Sequence, residues 1–508
     1  MPTTQDSYDE LPYESLPLTD THPDYLRAIA RLYGVDAPPM ASCRVLELGC
    51  AGGGNLLPLA WHFPSCQCTG LELARGHVDA ANGLIAQLGL GNAQVLHRSI
   101  TDLTEDLGEF DYIIAHGVFS WVPRAVQDRL LEICGQHLAP QGIAYISYNT
   151  LPGWHVRGLL RDALLSYCKP DGSASQRLAQ AHALFDLLEP ALRAQSSLDA
   201  QLALKEIAYL RRAEPSYVYH EYLEEINEPL HFSTFMQRAD YAGLAYLADA
   251  ELWTMFADTL GADAAAPFAA ITDRLQQEQM LDLARLRKFR RSLLVRKALS
   301  VRAQPELAAL DALNYFADLS SAEEIDLGNA TPQAFNTPTG NRYNVSQPLT
   351  KAALMLLCMH YPQAMAWDEL LQRASALVAE HGGSVNELAV PAYRTEFFSL
   401  ITYQAIRLTL EICTAIDALP ERPCAHALAR AQARHGRIVA SVRHTAVDLD
   451  ALSAILISHL DGTHNIAELA ALMATALQAQ GQIADLAVLE NACTQMLWTF
   501  ARQGLLTR

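Results

Sequence analysis

At 508 residues the chain exceeds one ordinary domain and suggests two to four. Its 50% apolar and 18% charged residues are the make-up of a folded globular enzyme rather than a disordered or fibrous chain. A net charge of −19, from 37 Lys and Arg against 56 Asp and Glu, disfavours nucleic-acid binding by the whole chain, which draws on neutralising phosphates, and suits a basic partner such as a lysine-bearing protein.

The opening MPTTQDSYDE lacks the basic flank and apolar stretch of a secretory signal. No apolar run approaches the roughly 18 residues of a membrane span, so a cytoplasmic location is expected. Tyr8 and Tyr13 flank a proline-containing segment that reads as a lid over a ligand, and residues 1–30 are assigned to it. From Arg44 onward, short runs rich in β-formers alternate with helical patterns, the mark of a parallel sheet covered by helices. Strands are predicted at Arg44–Leu48, Gln67–Glu72, Gln94–Arg98, Phe110–His116 and Gly142–Tyr148, with helices at Val78–Leu88 and Ala125–Leu138 between them. Residues 31–155 form this core. Residues 156–225 read as a helical insertion between the fifth and sixth strands. Residues 226–300 supply a helix, a break at Gly243 and the two remaining strands, the last over Phe289–Val295. Residues 301–345, with NATPQAFNTPTGNRYN, read as a linker. Residues 346–508 form a mainly helical C-terminal domain resembling a winged helix, with a capping box at Asn465 and Glu468.

The segment from Val45 to Asn55 (VLELGCAGGGN) passes from a buried strand through a glycine-rich turn into a helix. Small residues there let the backbone turn sharply and approach a ligand. The turn supplies Gly49, Cys50, Ala51, Gly53 and Asn55 as cofactor-binding candidates. Glu47, at the strand end, can receive an ammonium group. Glu72 ends the second strand, where a carboxylate can hold both ribose hydroxyls, with Leu73 beside it. The pattern lacks GxGxxG, and an acid at position 47 has no use beside a pyrophosphate, so S-adenosylmethionine (SAM) is favoured over a nicotinamide dinucleotide. Ser99 and Ile100, after the third strand, fall where such folds contact the adenine. The turns after the fourth and fifth strands (AHGVFSWVP and SYNTLPGWH) supply His116, Trp121, Tyr148, Asn149 and Trp154 as candidates for the acceptor site, and His116 also borders the cofactor. Their aromatic faces suit a sulfonium and an incoming ammonium, and His116 or Tyr148 is considered as a proton acceptor. The ten cysteines are scattered without a CxxC pair, and no metal site is expected.

At these residues the chain resembles a bacterial family of class I, Rossmann-like SAM methyltransferases with a methyltransferase regulatory domain and a C-terminal winged-helix domain, among them rickettsial protein-lysine methyltransferases. The elements that carry the resemblance are YDELPY, THPDYL, RVLELGCAGGGNLLPLA, FDYIIAHGVFSWVP, GIAYISYNTLPGWH, YHEYLEEINEPLHFSTF, AGLAYLADAEL, RKFRRSLLVRKA, QPLTKAALMLL, RHTAVDLD and HLDGT. The resemblance implies an α/β sheet with a helical insertion, cofactor roles for Glu47, Gly49, Gly53 and Glu72, and methyl transfer to protein lysines. Ala51 departs from the glycine common in this turn. Two rivals stay open: a small-molecule acceptor, and an interaction or nucleic-acid role for the C-terminal domain through Arg430, Arg434, His435, Arg437, Arg443 and His444. For that run and for Arg285–Arg302 a solvated helix face is the simpler expectation. A homodimer is also left open.

Overall fold

A computed structural model describes residues 10–103, 107–383, 389–411, 416, 418–479, 481–482 and 484–507. Seven strands form one sheet: β1 Arg44–Leu48, β2 Gln67–Glu72, β3 Ala93–His97, β4 Phe110–Ala115, β5 Leu138–Asn149, β6 Leu244–Asp249 and β7 Phe289–Arg296. Their spatial order is β3-β2-β1-β4-β5-β7-β6. β1 to β5 run parallel, and β7 runs antiparallel to both β5 and β6. β1 exposes only Arg44, as expected of a strand covered on both faces. The order reverses between β1 and β4, which opens a crevice at their carboxyl ends.

Around the sheet lie α1 Pro23–Leu32, α2 Leu56–His62, α3 Arg75–Leu88 and α4 Arg124–His137. Next come α5 Trp154–Tyr167, α6 Ala174–Arg193, α7 Leu198–Leu210 and α8 Pro215–Tyr222, which make up the insertion and bury their own apolar cluster of Leu160, Leu164, Phe185, Ile207 and Tyr222. α9 Phe232–Tyr241 and α10 Arg274–Arg285 cover the β6–β7 end. α10 is clamped to β7 by Arg290, a fully buried guanidinium 2.8 Å from Asp282 and 2.9 Å from Glu278.

Three expected boundaries move. Residues 23–30, expected within the lid, belong to the helix Pro23–Leu32, and Leu26 and Ile29 are in the main core. Residues 301–345, expected as a linker, contain strands Asn314–Phe316, Gln333–Asn336 and Arg342–Val345 and bury Leu313, Tyr315, Phe335 and Val345. Strands of three or four residues between Pro, Gly and Thr are too short to show alternation in sequence. The helices Pro348–His360, Trp367–Glu380 and Ala389–Thr402 share the main core as well, whereas a separate core of Ala425, Leu456, Met473, Leu497 and Leu505 defines a smaller C-terminal unit. Helical periodicity identifies a buried face but not the core that receives it. In this last unit the Asn465–Glu468 capping box forms, with N–H donations of 2.8 and 3.0 Å, and a hairpin pairs Ile438–Ala440 with Ala446–Asp448.

Candidate active site

The glycine turn follows β1 at the crevice. Gly49, Ala51 and Gly53 have φ of 74, 46 and 76°, all in the left-handed region. A Cβ on Gly49 would lie 2.5 Å from Val118 Cγ2, and one on Gly70 of β2 would lie 2.5 Å from the Sγ of buried Cys50. Glu72 fastens the turns together: its carboxylate accepts the N–H groups of Ala51 (2.8 Å), Leu73 (2.8 Å) and Ala74 (2.7 Å). Glu47 is 4% exposed. Its Oε1 accepts from Asn55 Nδ2 at 2.8 Å, while its buried Oε2 has no hydrogen-bond partner among the described residues. Burial pushes this carboxyl up to about 8, against the pull of the Asn55 hydrogen bond and with a further push from Glu72. A buried carboxylate oxygen lacking a partner is the feature an ammonium group would satisfy, so the donor set fits the methionyl end of SAM. Beyond β3, Ser99 Oγ accepts the Thr101 N–H at 3.3 Å and caps the short turn Ile100–Asp102, with Ile100 half-buried against the core.

The N-terminal segment lies over this turn. Ser15 Oγ accepts the Gly54 N–H at 2.7 Å, and a Cβ on Gly54 would meet the Ser15 carbonyl oxygen at 2.0 Å. Leu18 N–H donates to Asn55 Oδ1 at 2.9 Å. Upstream, Leu11 O accepts from His220 of α8 at 2.7 Å, and Tyr13 packs edge-on to the same ring at 5.7 Å. Burial raises the Tyr13 hydroxyl to about 12. Tyr13 therefore rests on the insertion, whereas Ser15 and Leu18, which sequence spacing did not single out, meet the turn. Tyr8 lies outside the described residues.

The turns after β4 and β5 are tied together: Gly117 N–H donates to Ser147 Oγ at 2.8 Å and Asn149 N–H to Ser120 Oγ at 2.9 Å. The Asn149 amide donates to Asn227 at 3.0 Å, and Trp121 and Trp154 pack edge to face at 6.2 Å. Tyr148 does not join them. Its ring stacks on Phe235 at 4.1 Å and its hydroxyl lies 3.2 Å from Ser292, inside the sheet–helix interface. Alternate strand residues face opposite sides, so it is Tyr145, three positions earlier on the other face, that meets His116, with Oη 2.9 Å from Nδ1. Both line a cavity of about 470 Å³ with Asp20, Arg291, Arg407 and Arg443. Burial, with Arg291 nearby, holds His116 down at about 3, which makes it a poor proton acceptor, and burial also raises the Tyr145 and Tyr148 hydroxyls well above their ordinary value.

Sheet order, glycine turn and paired acids define a Rossmann-like SAM-dependent methyltransferase. Three family models match along the chain: a methyltransferase domain over residues 45–142, a predicted methyltransferase regulatory domain over 214–296, and the C-terminal winged helix domain of PKMT over 421–505. The Rickettsia prowazekii protein RP789 is 34% identical over 374 residues, spanning 72% of this chain and 68% of that one. The structure of PKMT2 from Rickettsia typhi superposes with a TM-score of 0.87 at 26% identity, covering 97% of this chain and 100% of that one. The same enzyme in complex with AdoHcy, S-adenosylhomocysteine, gives 0.86 at 27%, covering 97% and 100%. The chain belongs to the bacterial SAM-dependent methyltransferases that carry a regulatory domain and a PKMT-type winged helix.

Proposed function

We propose that this methyltransferase acts on lysine side chains of a protein substrate. The observation that carries the reading is that likeness to PKMT2 extends beyond the catalytic sheet through the middle strands and the C-terminal unit. Bound SAM supplies an electrophilic methyl group on a sulfonium. Glu47 and the Gly49–Asn55 turn hold its amino-acid end, Glu72 and Leu73 its ribose side, and Ser99 and Ile100 its adenine side. The cavity at His116 and Tyr145 receives the acceptor, with Trp121, Trp154 and Asn149 shaping the neighbouring turns. Methyl transfer chiefly needs the nucleophile aligned and desolvated. Since His116 is a poor proton acceptor, the lysine gives its proton to water before it is enclosed, and the Tyr145 hydroxyl orients the free amine.

A nucleic-acid role draws little support from the basic runs. Arg437 is bidentate to Asp448 with a 2.7 Å contact, Arg443 stacks over Phe316 at 4.1 Å, and His444 is buried. Arg285–Arg302 does not form a solvated helix face: it spans β7, where Arg287 and Arg290 are buried against Asp249 and Asp282. No described helix is long and apolar enough to cross a membrane. The test is incubation with methyl-labelled SAM and a bacterial lysate, followed by separation of protein from small molecules and acid hydrolysis. Label recovered as methyl-lysine is expected; label confined to small molecules rejects the lysine acceptor.

A further inference from the structure

The C-terminal unit reaches into the cofactor turn. Its hairpin, Ile438–Ala440 with Ala446–Asp448, closes through Ser441 N–H to Thr445 O and His444 N–H to Ser441 O, both 3.0 Å. At the tip, His444 has φ of 56°, a left-handed conformation rare for a residue with a side chain, and is 2% exposed. Such outliers persist where the surroundings over-determine them and collect at functional sites. Here the surroundings belong to other parts of the chain. His444 O accepts from Thr19 Oγ1 at 3.1 Å, the His22 ring lies edge-on at 5.1 Å, and His444 Nε2 lies 2.7 Å from Asn55 Oδ1, a residue 389 positions away.

The proton arrangement is fixed by what each group can do. The Leu18 N–H, 2.9 Å from the same oxygen, can only donate, so the atom of Asn55 facing it is the carbonyl oxygen. His444 must then carry its proton on Nε2 and donate. Thr21 Oγ1 lies 2.9 Å from that oxygen as well. The Asn55 amide nitrogen is thereby aimed at Glu47 Oε1, 2.8 Å away, while the buried Oε2 of Glu47 has no hydrogen-bond partner among the described residues. A chain of two hydrogen bonds connects the hairpin tip to the carboxylate that receives the cofactor's ammonium.

We propose that His444 is a positioning residue of the cofactor site: from the tip of the C-terminal hairpin it fixes Asn55, and through Asn55 the orientation of Glu47. The hairpin of this winged helix is thus committed to its own catalytic core, and docking of the C-terminal unit and cofactor binding favour each other, reciprocally as linkage requires. The inference rests on the SAM site and not on the acceptor: the AdoHcy binding and exchange measurements need none, and the rate measurement takes lysate protein as acceptor.

The test uses the full-length protein and AdoHcy. His444→Phe fills the space without the donor, and His444→Gln restores an N–H near the same place. By calorimetry, His444→Phe should weaken AdoHcy about tenfold, the scale of one buried hydrogen bond, and His444→Gln should recover most of the loss. With labelled SAM the effect should fall on KM and leave kcat within about twofold, since cofactor binding is lost rather than transition-state contact. In an Asn55→Ala background His444→Phe should add little, as expected of residues acting through one another. Wild-type AdoHcy affinity in His444→Phe, no recovery in the Gln variant, or full additivity with Asn55→Ala would each overturn the proposal. Should the variants fail to fold, hydrogen exchange on the unmutated protein decides: AdoHcy should slow exchange of amides 441–447, and unchanged exchange there rejects the coupling.

Discussion

At the scale of single residues, Glu47 carries the clearest consequence. Its carboxyl is pushed up to about 8 by burial, so it keeps its proton through neutrality when no cation faces it. An ammonium at Oε2 favours the carboxylate, so binding expels that proton. AdoHcy affinity should therefore fall as pH drops below about 8, approaching about tenfold per unit, the limit for one coupled proton. Calorimetry in buffers of different ionisation enthalpy should read the released proton at pH 7, and Glu47→Gln should flatten the profile. For the cofactor-free protein the sign is opposite: the folded state holds this proton more tightly than the unfolded chain, so the stabilisation is complete below about 4.5 and is lost as pH rises through about 8. Ala51 gives a second prediction. At φ of 46° its Cβ is strained, and Ala51→Gly should gain about 0.5–1 kcal/mol in denaturant unfolding once the greater freedom of glycine in the unfolded chain is deducted. The glycine turn and its acids were legible in the sequence because they follow a strand at fixed spacing. Ser15, Leu18 and Asn55's link to His444 were not, because contacts between segments tens to hundreds of residues apart leave no local pattern.

At the scale of elements, β7 shows what holds the sheet's late strands in place. Arg290, with no exposed surface, is bonded to Asp282 and Glu278 of α10 and lies 3.9 Å from the centre of the Phe232 ring. Arg290→Met should cost about 3–5 kcal/mol, because it strands two buried carboxylates. Urea unfolding measures this, and adding Asp282→Asn with Glu278→Gln should return part of it. The parallel strands were readable from apolar runs bounded by turn residues, and β1 and β2 begin and end where the sequence places them. β5 starts earlier, at Leu138, because tertiary pairing with Phe110 extends it past the glycine that marks its start in sequence. Tyr145 was within reach of period-2 reasoning. Once Ser147 and Asn149 are placed at the carboxyl-edge turn, Tyr145 shares their face and Tyr148 does not.

At the scale of the whole molecule, the cavity proposed for the acceptor is assembled from parts distant in sequence: Pro17–Asp20 of the N-terminal segment, His116 and Tyr145 of the sheet, Phe316 and Arg407 of the middle region, and Arg443 and Thr445 of the C-terminal hairpin. Two adjacent hairpin residues therefore face different tasks. His444 points to the cofactor turn, while Arg443 borders the cavity, its Nε donating to Pro362 O at 2.8 Å and its guanidinium stacking on Phe316. Arg443→Ala removes that wall and leaves the donation from His444 to Asn55 in place. The expected outcome is a KM for the proposed protein acceptor raised about tenfold, the scale of one lost charged contact, with AdoHcy affinity within about twofold of wild type. Initial rates at varied acceptor, paired with calorimetry on the same preparation, separate the two. Loss of AdoHcy affinity matching that of His444→Phe would mean that the hairpin moves as one body and that Arg443 anchors it. Retained affinity with a raised KM assigns opposite faces of one hairpin tip to the two substrates.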